Sequence, residues 1–592
     1  MIHAFKSLSL ILLFSALVIA DEQDSNVHQS AQTVLSTLQG NQTANSLTTE
    51  LLNIALHGHS LPPELQEELR QVGFNFSRQL VVFNRPSGLD LTVSDTSGYF
   101  LFHYTVNGVQ AVDSHDGDLN GIPDYVDQMA EIFAQVYVTM VDTYGFTPPP
   151  SDDEEGGSDQ YDIYIFNLNP GYFGNTYPEE LKGDNEKSID ALEFNAISSY
   201  ITMRNNYDDF PHSEINNIKI TAAHEFFHAA QFGYDGWEQF WLLEATAVWM
   251  EEAIYDDVND CYRYMIKWFA EPHKSLEENS NHAYGSYIFF KYIDEHFGGF
   301  PTIRNIWENS RSFDSSRGNF STRIIDDALR VQNSSFIEVL NNMSIANKIL
   351  SNEPGAENFT YEESAGYRNF SFNNEQIVLT VEDSVNFTAG IEDSLSSFRL
   401  NRYGSQYFKI KTNDPVKIEL ENLDGPPSDL NLNIIQKTVF GDYQVSSGHT
   451  QNILPTDETK WIYAVVVSQD TTFNDWDFKL HFSDAVIHTI EDDEYDTLMK
   501  QGFLLRTAYP NPFNSMINYQ LLVSESQNIS ISIVDILGQR VQLIRKNFHQ
   551  DGNYNYHWNG HSETGKAASS GTYYIVVRGK HHQQWKQITL VK

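Results

Sequence analysis

Apolar positions recur along this chain with two different periods, and the change from one to the other falls near residue 355. Before it the elements are mixed. "GYFLFHYTV" (Gly98–Val106) and "YDIYIFNL" (Tyr161–Leu168) read as strands. "YVDQMAEIFAQVYVTMVDTYGF" (Tyr125–Phe146) has a helical rhythm that stops at Gly145, ahead of "TPPP". From Pro211 to about Leu350 helical spacing dominates. Beyond 355, "EQIVLTV", "SQYFKIKT", "VKIELENL", "KWIYAVVVS" and "DFKLHFSD" are alternating or β-branched runs parted by Asn, Asp, Gly and Pro, the pattern of a β-sandwich. An acidic linker (Ile490–Gly502) leads to further strands, "ISISIVDILGQRV", "GNYNYHWNG" and "GTYYIVVRG". Residues 21–84 are polar apart from a helical patch at Leu61–Gly73, and read as a propeptide-like segment or an N-terminal cap.

The predicted organisation is therefore multidomain, as 592 residues exceed one ordinary core. A signal peptide covers 1–20, the polar region 21–84, an α+β domain 85–350, a β-sandwich 355–490, and a second, immunoglobulin-like β-sandwich 503–592. The signal reading rests on a Lys-bearing start, the apolar run Leu8–Ile19 and small residues at Ala16 and Ala20. That run is short for a membrane span, and no later segment is apolar enough to make one.

Charge narrows the partners. Lys+Arg 37 against Asp+Glu 80 leaves a net charge of −43, which repels nucleic acid and anionic membranes. The only cysteine, Cys261, excludes an intrachain disulfide and is expected to be a small buried residue. Export without disulfides fits a bacterial route.

The chemistry concentrates in "ITAAHEFFHAAQFGYDGWEQFWLLEATAVWMEE" (Ile220–Glu252). Apolar residues from Ile215 to Phe232 follow helical spacing, with Gly233 as the expected stop. His224 and His228 then stand at i and i+4 on one helix face, close enough for both to reach a tetrahedral Zn²⁺. Glu225, one position round, can act as general base on a water there. A chain reversal at Gly233–Trp237 and a second helix bring Glu244 back as third ligand, leaving an open coordination position. Glu251 falls near the same face and can hold a ligand imidazole. The bland alternative is an amphipathic helix pair that happens to carry histidines. An acid among Trp, Leu, Ala and Val weighs against it, because a buried unpaired carboxylate is costly.

These residues carry a resemblance. "HEFFHAAQF…WLLEATAVWMEE" resembles the gluzincin metallopeptidases, and above all a group of secreted bacterial metalloprotease-like proteins that also carry "NGIPDYVD" before the zinc helix and "YDDVND" after it. Both segments stand here, at Asn120–Asp127 and Tyr255–Asp260. The resemblance covers about 95–310. It implies a zincin-like fold, with His224, His228 and Glu244 as zinc ligands and Glu225 as general base. It also points to Tyr284, within "NHAYGSYIFFKYIDEHFG", as the oxyanion donor, with a packed core tyrosine as the alternative; His282 is a weaker candidate.

Upstream, "DGDLNGIPDYVD" (Asp116–Asp127) fits a twelve-residue calcium loop. Its ligands would be Asp116, Asp118, Asn120, the Ile122 carbonyl, Asp124 and Asp127, and Ca²⁺ would be structural. The alternative is a solvated acidic turn. At the other end, "AYPNPFNSMINYQL", "IVDILGQRV", "HWNG", "SSGTYYIVVRG" and "QITLVK" resemble the C-terminal sorting domains of type IX-secreted proteins. The expected protein is a secreted or surface-attached zinc endopeptidase acting on protein or peptide substrates, with the secretion machinery as partner. The rival is a non-catalytic surface adhesin or glycan-binding protein whose metals are structural.

Overall fold

The computed structural model describes residues 26–39, 46–189, 191–351, 356, 358–469, 475–485, 498, 500–506, 508, 511–514, 517–549, 552–563 and 566–591. The signal peptide predicted over 1–20 and most of the 490–502 linker lie outside the described residues. The chain divides into two units, Met1–Ala485 and Val486–Lys592.

In the first unit the N-terminal region forms three helices, α1 (26–38), α2 (Thr48–His57) and α3 (Pro63–Gln71), then a short ribbon of β1 (Phe74–Asn75) and β2 (Val82–Phe83). A mixed sheet follows, built from β3 (Leu91–Ser94), β4 (Phe100–Tyr104), β5 (Tyr161–Phe166), β6 (Gly174–Gly183) and β7 (Ala196–Arg204). Its order is β3-β4-β5-β7-β6. The central β4, β5 and β7 run parallel, and β3 and β6 are antiparallel edges.

Both faces of this sheet are buried, and the pleat decides which side chain goes where. Ile163, Ile165, Ile197, Ile201 and Met203 join the core beneath α4 (Asp124–Tyr137) and α5 (Glu214–Asp235). The intervening Tyr164 and Tyr200 join a second core on the opposite face, with Val27, Val34, Leu51, Ile54 and Leu69 of α1–α3. Each such aliphatic residue is worth roughly 1.5–3 kcal/mol buried, so the N-terminal layer is a folded part of the unit. The predicted α+β class becomes mixed α/β, with helices on both faces of a sheet that is parallel at its centre.

The long helix α5 starts at a Ser213 cap, whose side chain accepts from the Asn216 N–H. It is buried on nearly every side between the sheet and α6 (Phe240–Ile254). The expected stop at Gly233 is a correction: α5 runs on to Asp235. Gly233 is needed for packing, since a Cβ there would lie 2.9 Å from Asn185 Nδ2 and 3.1 Å from Pro150 Cδ. Further helices are α7 (Tyr262–Ala270), α8 (His282–Gly285), α9 (Tyr287–His296), α10 (Phe300–Ser310), α11 (Ser321–Val331) and α12 (Phe336–Ile349).

The region beyond 370 holds a five-stranded and a four-stranded sheet facing each other across one core. "EQIVLTV" is not the strand its pattern predicts beyond Glu375–Gln376. There Thr380 turns its N–H to Phe269 O and its hydroxyl to Ala270 O, tying the segment to the end of α7. "KWIYAVVVS" is a strand (Thr459–Ser468) with a reason for its unbroken apolar run. Ala464 and Val466 face the inter-sheet core, while Val465 and Val467 face the helical core. Tyr407 OH bonds Ser344 O of α12 at 2.8 Å, so this sheet and the helices share one interior. In the second unit a three-stranded and a four-stranded sheet enclose a core that includes Phe503, Leu521, Ile531, Trp558 and Ile575.

Candidate metal centre

The turn after α5 returns the chain so that α6 packs along it, and three nitrogen and oxygen atoms meet between the two helices. His224 Nε2 and His228 Nε2 are 3.0 Å apart. Glu244 Oε2 lies 3.4 Å from the first and 3.6 Å from the second. Two zinc bonds of about 2.0–2.1 Å at a tetrahedral angle span about 3.3 Å, so the triangle has the edge lengths of one tetrahedral face.

The neighbouring hydrogen bonds determine where the ring protons sit. His224 Nδ1 donates to Glu251 Oε1 at 2.6 Å, since a carboxylate can only accept. His228 Nδ1 faces Gln231 Oε1 at 2.7 Å. The Gln231 amide is oriented by its Nε2, which donates to Leu243 O and Thr246 Oγ1, and the Thr246 hydroxyl is itself spent on Leu242 O. Both imidazoles therefore carry a proton on Nδ1 and turn Nε2 towards the same point. Glu244 Oε2 is buried beside them without a hydrogen-bond partner. Two imidazole Nε2 atoms and an orphaned carboxylate oxygen converging in the interior are a donor set for a cation, which would displace the proton between the rings, and the residues fit zinc.

The electrostatics agree. Burial alone would lift the Glu244 carboxyl, but His228 and His224 hold it well below the usual range. Burial would lower His224, yet its bonds to Glu244 and Glu251 raise it well above its usual value. Burial, with Glu244 next, pushes Glu50 up to about 7. These groups favour positive charge at the centre.

Glu225 is 1% exposed, and its Oε2 accepts from Thr48 Oγ1 at 2.7 Å and Thr176 Oγ1 at 2.8 Å. Glu244 Oε1 accepts from Thr49 Oγ1 at 2.7 Å. Tyr284 is buried, with its ring parallel to His224 at 6.3 Å and stacked on Tyr264 at 5.1 Å. It lines a cavity of about 30 Å³ with His224, Glu225, Glu251, Arg263 and Ser46. His282 stands apart from this cluster: it stacks on Trp268 at 4.5 Å, and burial first of all lowers it to about 3.

The structure also brings in residues with no mark in the sequence pattern. Thr48, Thr49 and Thr176 are hydroxyl residues in ordinary polar contexts, separated from Glu225 or Glu244 by 49 to 195 positions. Asp260 is buried, accepts from His212 Nε2 at 2.8 Å and pairs with Arg263 at 2.7 Å behind Glu251. The "YDDVND" segment held a clue to Asp260, but not to its partner.

The acidic loop before α4 is of another kind. Asp116, Asp118 and Asp124 offer oxygens within 4.8 Å of one another. Asp127 Oδ2 accepts from Asn120 Nδ2 at 2.8 Å, and Asn120 Oδ1 accepts the Ile122 N–H at 2.7 Å. Asp124 is bonded by Gly117 N–H at 2.8 Å and by His115 Nδ1 at 2.7 Å. A third acidic group, Glu252, Asp256 and Glu363, has a cation already, because Lys291 Nζ lies 3.7 Å from Glu252 and 3.9 Å from Glu363. Cys261 is buried, with its Sγ 3.2 Å from Glu252 Oε2.

Residues 507–591 match a family described as a secretion system C-terminal sorting domain. Residues 119–316, which contain α5 and α6, match a family of unknown function, DUF6055. No curated protein matches the chain. Three solved structures show limited similarity. PorZ, a surface component of the type-IX secretion system of Porphyromonas gingivalis, is 16% identical over 19% of this chain and 14% of its own, with a TM-score of 0.12. Dimeric latent PorU from the same organism is 13% identical over 36% of this chain and 19% of its own, with a TM-score of 0.13. A β-1,2-glucanase from Parabacteroides distasonis is 8% identical over 34% of this chain and 37% of its own, with a TM-score of 0.12. The chain thus spans at most 37% of the length of these three structures. The sorting domain makes the protein a cargo of the type IX secretion machinery, secreted or attached at the cell surface. Among the described residues no helix is long and apolar enough to cross a membrane.

Proposed function

We propose that the chain is an exported zinc endopeptidase with a zincin-like catalytic region, and that it hydrolyses protein or peptide substrates. The triangle of His224 Nε2, His228 Nε2 and Glu244 Oε2 carries this reading. Those residues would hold the metal, with Glu251 and Gln231 keeping both imidazoles in the ligand tautomer. Bound zinc would supply a Lewis acid for the scissile carbonyl and for water. Glu225, adjacent to His224 on α5, takes the proton from the attacking water and returns it to the leaving amine. The Tyr284 hydroxyl is the donor assigned to the developing oxyanion. Asp116, Asp118, Asn120, the Ile122 carbonyl, Asp124 and Asp127 would take a structural calcium ion that fixes the corner before α4, and the grouping of Asp116, Asp118 and Asp124 supports this.

Metal analysis and a peptide-library digest of the wild type and Glu225→Gln test this reading. The expected result is zinc in both proteins and chelator-sensitive hydrolysis that falls about 10²–10⁴-fold in the variant. A chain that holds no zinc and cleaves nothing sinks the proposal. The burial of all four central residues favours a second reading, a structural metal in a non-catalytic adhesin or glycan-binding protein. Zinc without any Glu225-dependent cleavage would support that one.

A further inference from the structure

His224, Glu225, His228 and Glu244 are between 0% and 6% exposed, and the cavity directly against His224 and Glu225, about 30 Å³, has room for water but not for a peptide. A larger cavity of about 880 Å³ reaches Ser46, Thr49, Glu50 and Tyr284 but none of those four residues. What covers them comes from the N-terminal layer. Thr48 Oγ1 is on Glu225 Oε2 at 2.7 Å and Thr49 Oγ1 on Glu244 Oε1 at 2.7 Å. The same turn lies along the edge strand β6: Leu47 N–H donates to Asn175 Oδ1 at 2.6 Å, and Thr176 N–H donates to Thr48 Oγ1 at 2.8 Å. Four consecutive residues, Ser46 to Thr49, therefore occupy the general base, a ligand carboxylate and the polar edge of the neighbouring strand at once.

We propose that Ser46–Thr49 is an internal occupant of the catalytic cleft, which keeps the chain latent until the first turn of α2 is withdrawn. The inference rests on the zinc-peptidase reading above. The contacts suit a replaceable occupant, because each is a neutral hydroxyl or amide that water or a substrate amide can match bond for bond. Beyond the turn, Leu51, Leu52, Ile54 and Ala55 are buried, and they anchor the rest of α2 while its first turn moves. Local opening of one turn is a small part of global unfolding, so latency lowers the wild-type rate without abolishing it.

The test uses the full chain loaded with cobalt in place of zinc, and acetohydroxamate as a small metal-seeking probe read by the visible spectrum. The double variant Thr48→Val/Thr49→Val keeps side-chain shape while removing both hydroxyls. It should bind acetohydroxamate about tenfold or more tightly than the wild type, the effect of one or two lost charge-assisted hydrogen bonds, and should cleave peptides faster by a similar factor. Leu47→Ala loosens the same turn without touching either hydroxyl and should move both readouts in the same direction. Thermal melting of each variant confirms that it is folded. The occupant is overturned if acetohydroxamate binds the wild type as tightly as both variants. It is equally overturned if the variants lose cobalt or slow down, since the threonines would then be permanent supports of the two carboxylates. A chain that takes up no cobalt overturns the metal reading as well, and that failure is distinct from the other two.

Discussion

Two acidic clusters lie in the same unit, and they differ in what their surroundings demand. Between α5 and α6, Glu244 is fully buried and one of its oxygens has no hydrogen-bond partner. In the Asp116–Asp127 loop, Asp116, Asp118 and Asp124 are exposed or half-buried, and backbone N–H groups already serve them. A carboxylate in water costs nothing to leave unpaired, whereas one in the interior calls for a counter-charge. The interior cluster is therefore informative about a ligand in a way that the exposed one is not, although the loop has more matching acids.

The largest expected effect breaks the interior cluster itself. Glu244→Gln keeps the shape but removes the charge, and should lower zinc affinity by more than the 10–100-fold expected for a supporting residue. Equilibrium dialysis against a zinc buffer measures it. Unchanged affinity would remove Glu244 from the ligand set. Next comes Glu251→Gln, after which His224 Nδ1 donates to a weaker, uncharged acceptor, and this should cost zinc affinity about 10–100-fold.

A third prediction uses a buried acid, Asp235 at the last position of α5, whose acidic neighbour is Glu238. Burial, and then the neighbouring Glu238, raises it to about 7. A carboxyl raised above its unfolded value contributes its full stability below about pH 4 and loses it as pH rises through 7. Asp235→Asn should therefore flatten stability between pH 4 and 8, and be more stable than the wild type at pH 8 by roughly 1–4 kcal/mol. Denaturant titrations at pH 5 and pH 8 decide this, and parallel profiles for the two proteins would contradict it. The smallest effect belongs to the exposed loop. Asp116→Asn/Asp118→Asn should abolish any calcium-dependent rise in melting temperature, a shift of a few degrees, while leaving zinc content unchanged.

The histidine helix α5 was legible because its signal is local. Two histidines at i and i+4 share a face by helix geometry alone, and an acid inside an apolar helix announces a partner. The helical patch of α3 and most sandwich strands were legible for the same reason. Gly233 was misread because a glycine that permits close packing and one that ends a helix look identical in sequence. "EQIVLTV" was misread because its backbone partners are at the end of α7, more than 100 residues away. Thr48 and Thr49 gave no signal, since hydroxyl residues at a helix start are ordinary caps in most chains.

The sequence by itself determined the shared face of His224 and His228, the export address and the β-rich second half, all encoded in periodicity and short-range spacing. Only the tertiary structure decided that the N-terminal layer covers the sheet and that its first α2 turn lies on Glu225 and Glu244. Those contacts join residues 177 and 195 positions apart, and they form because both faces of a central sheet must be buried. No local pattern carries that requirement.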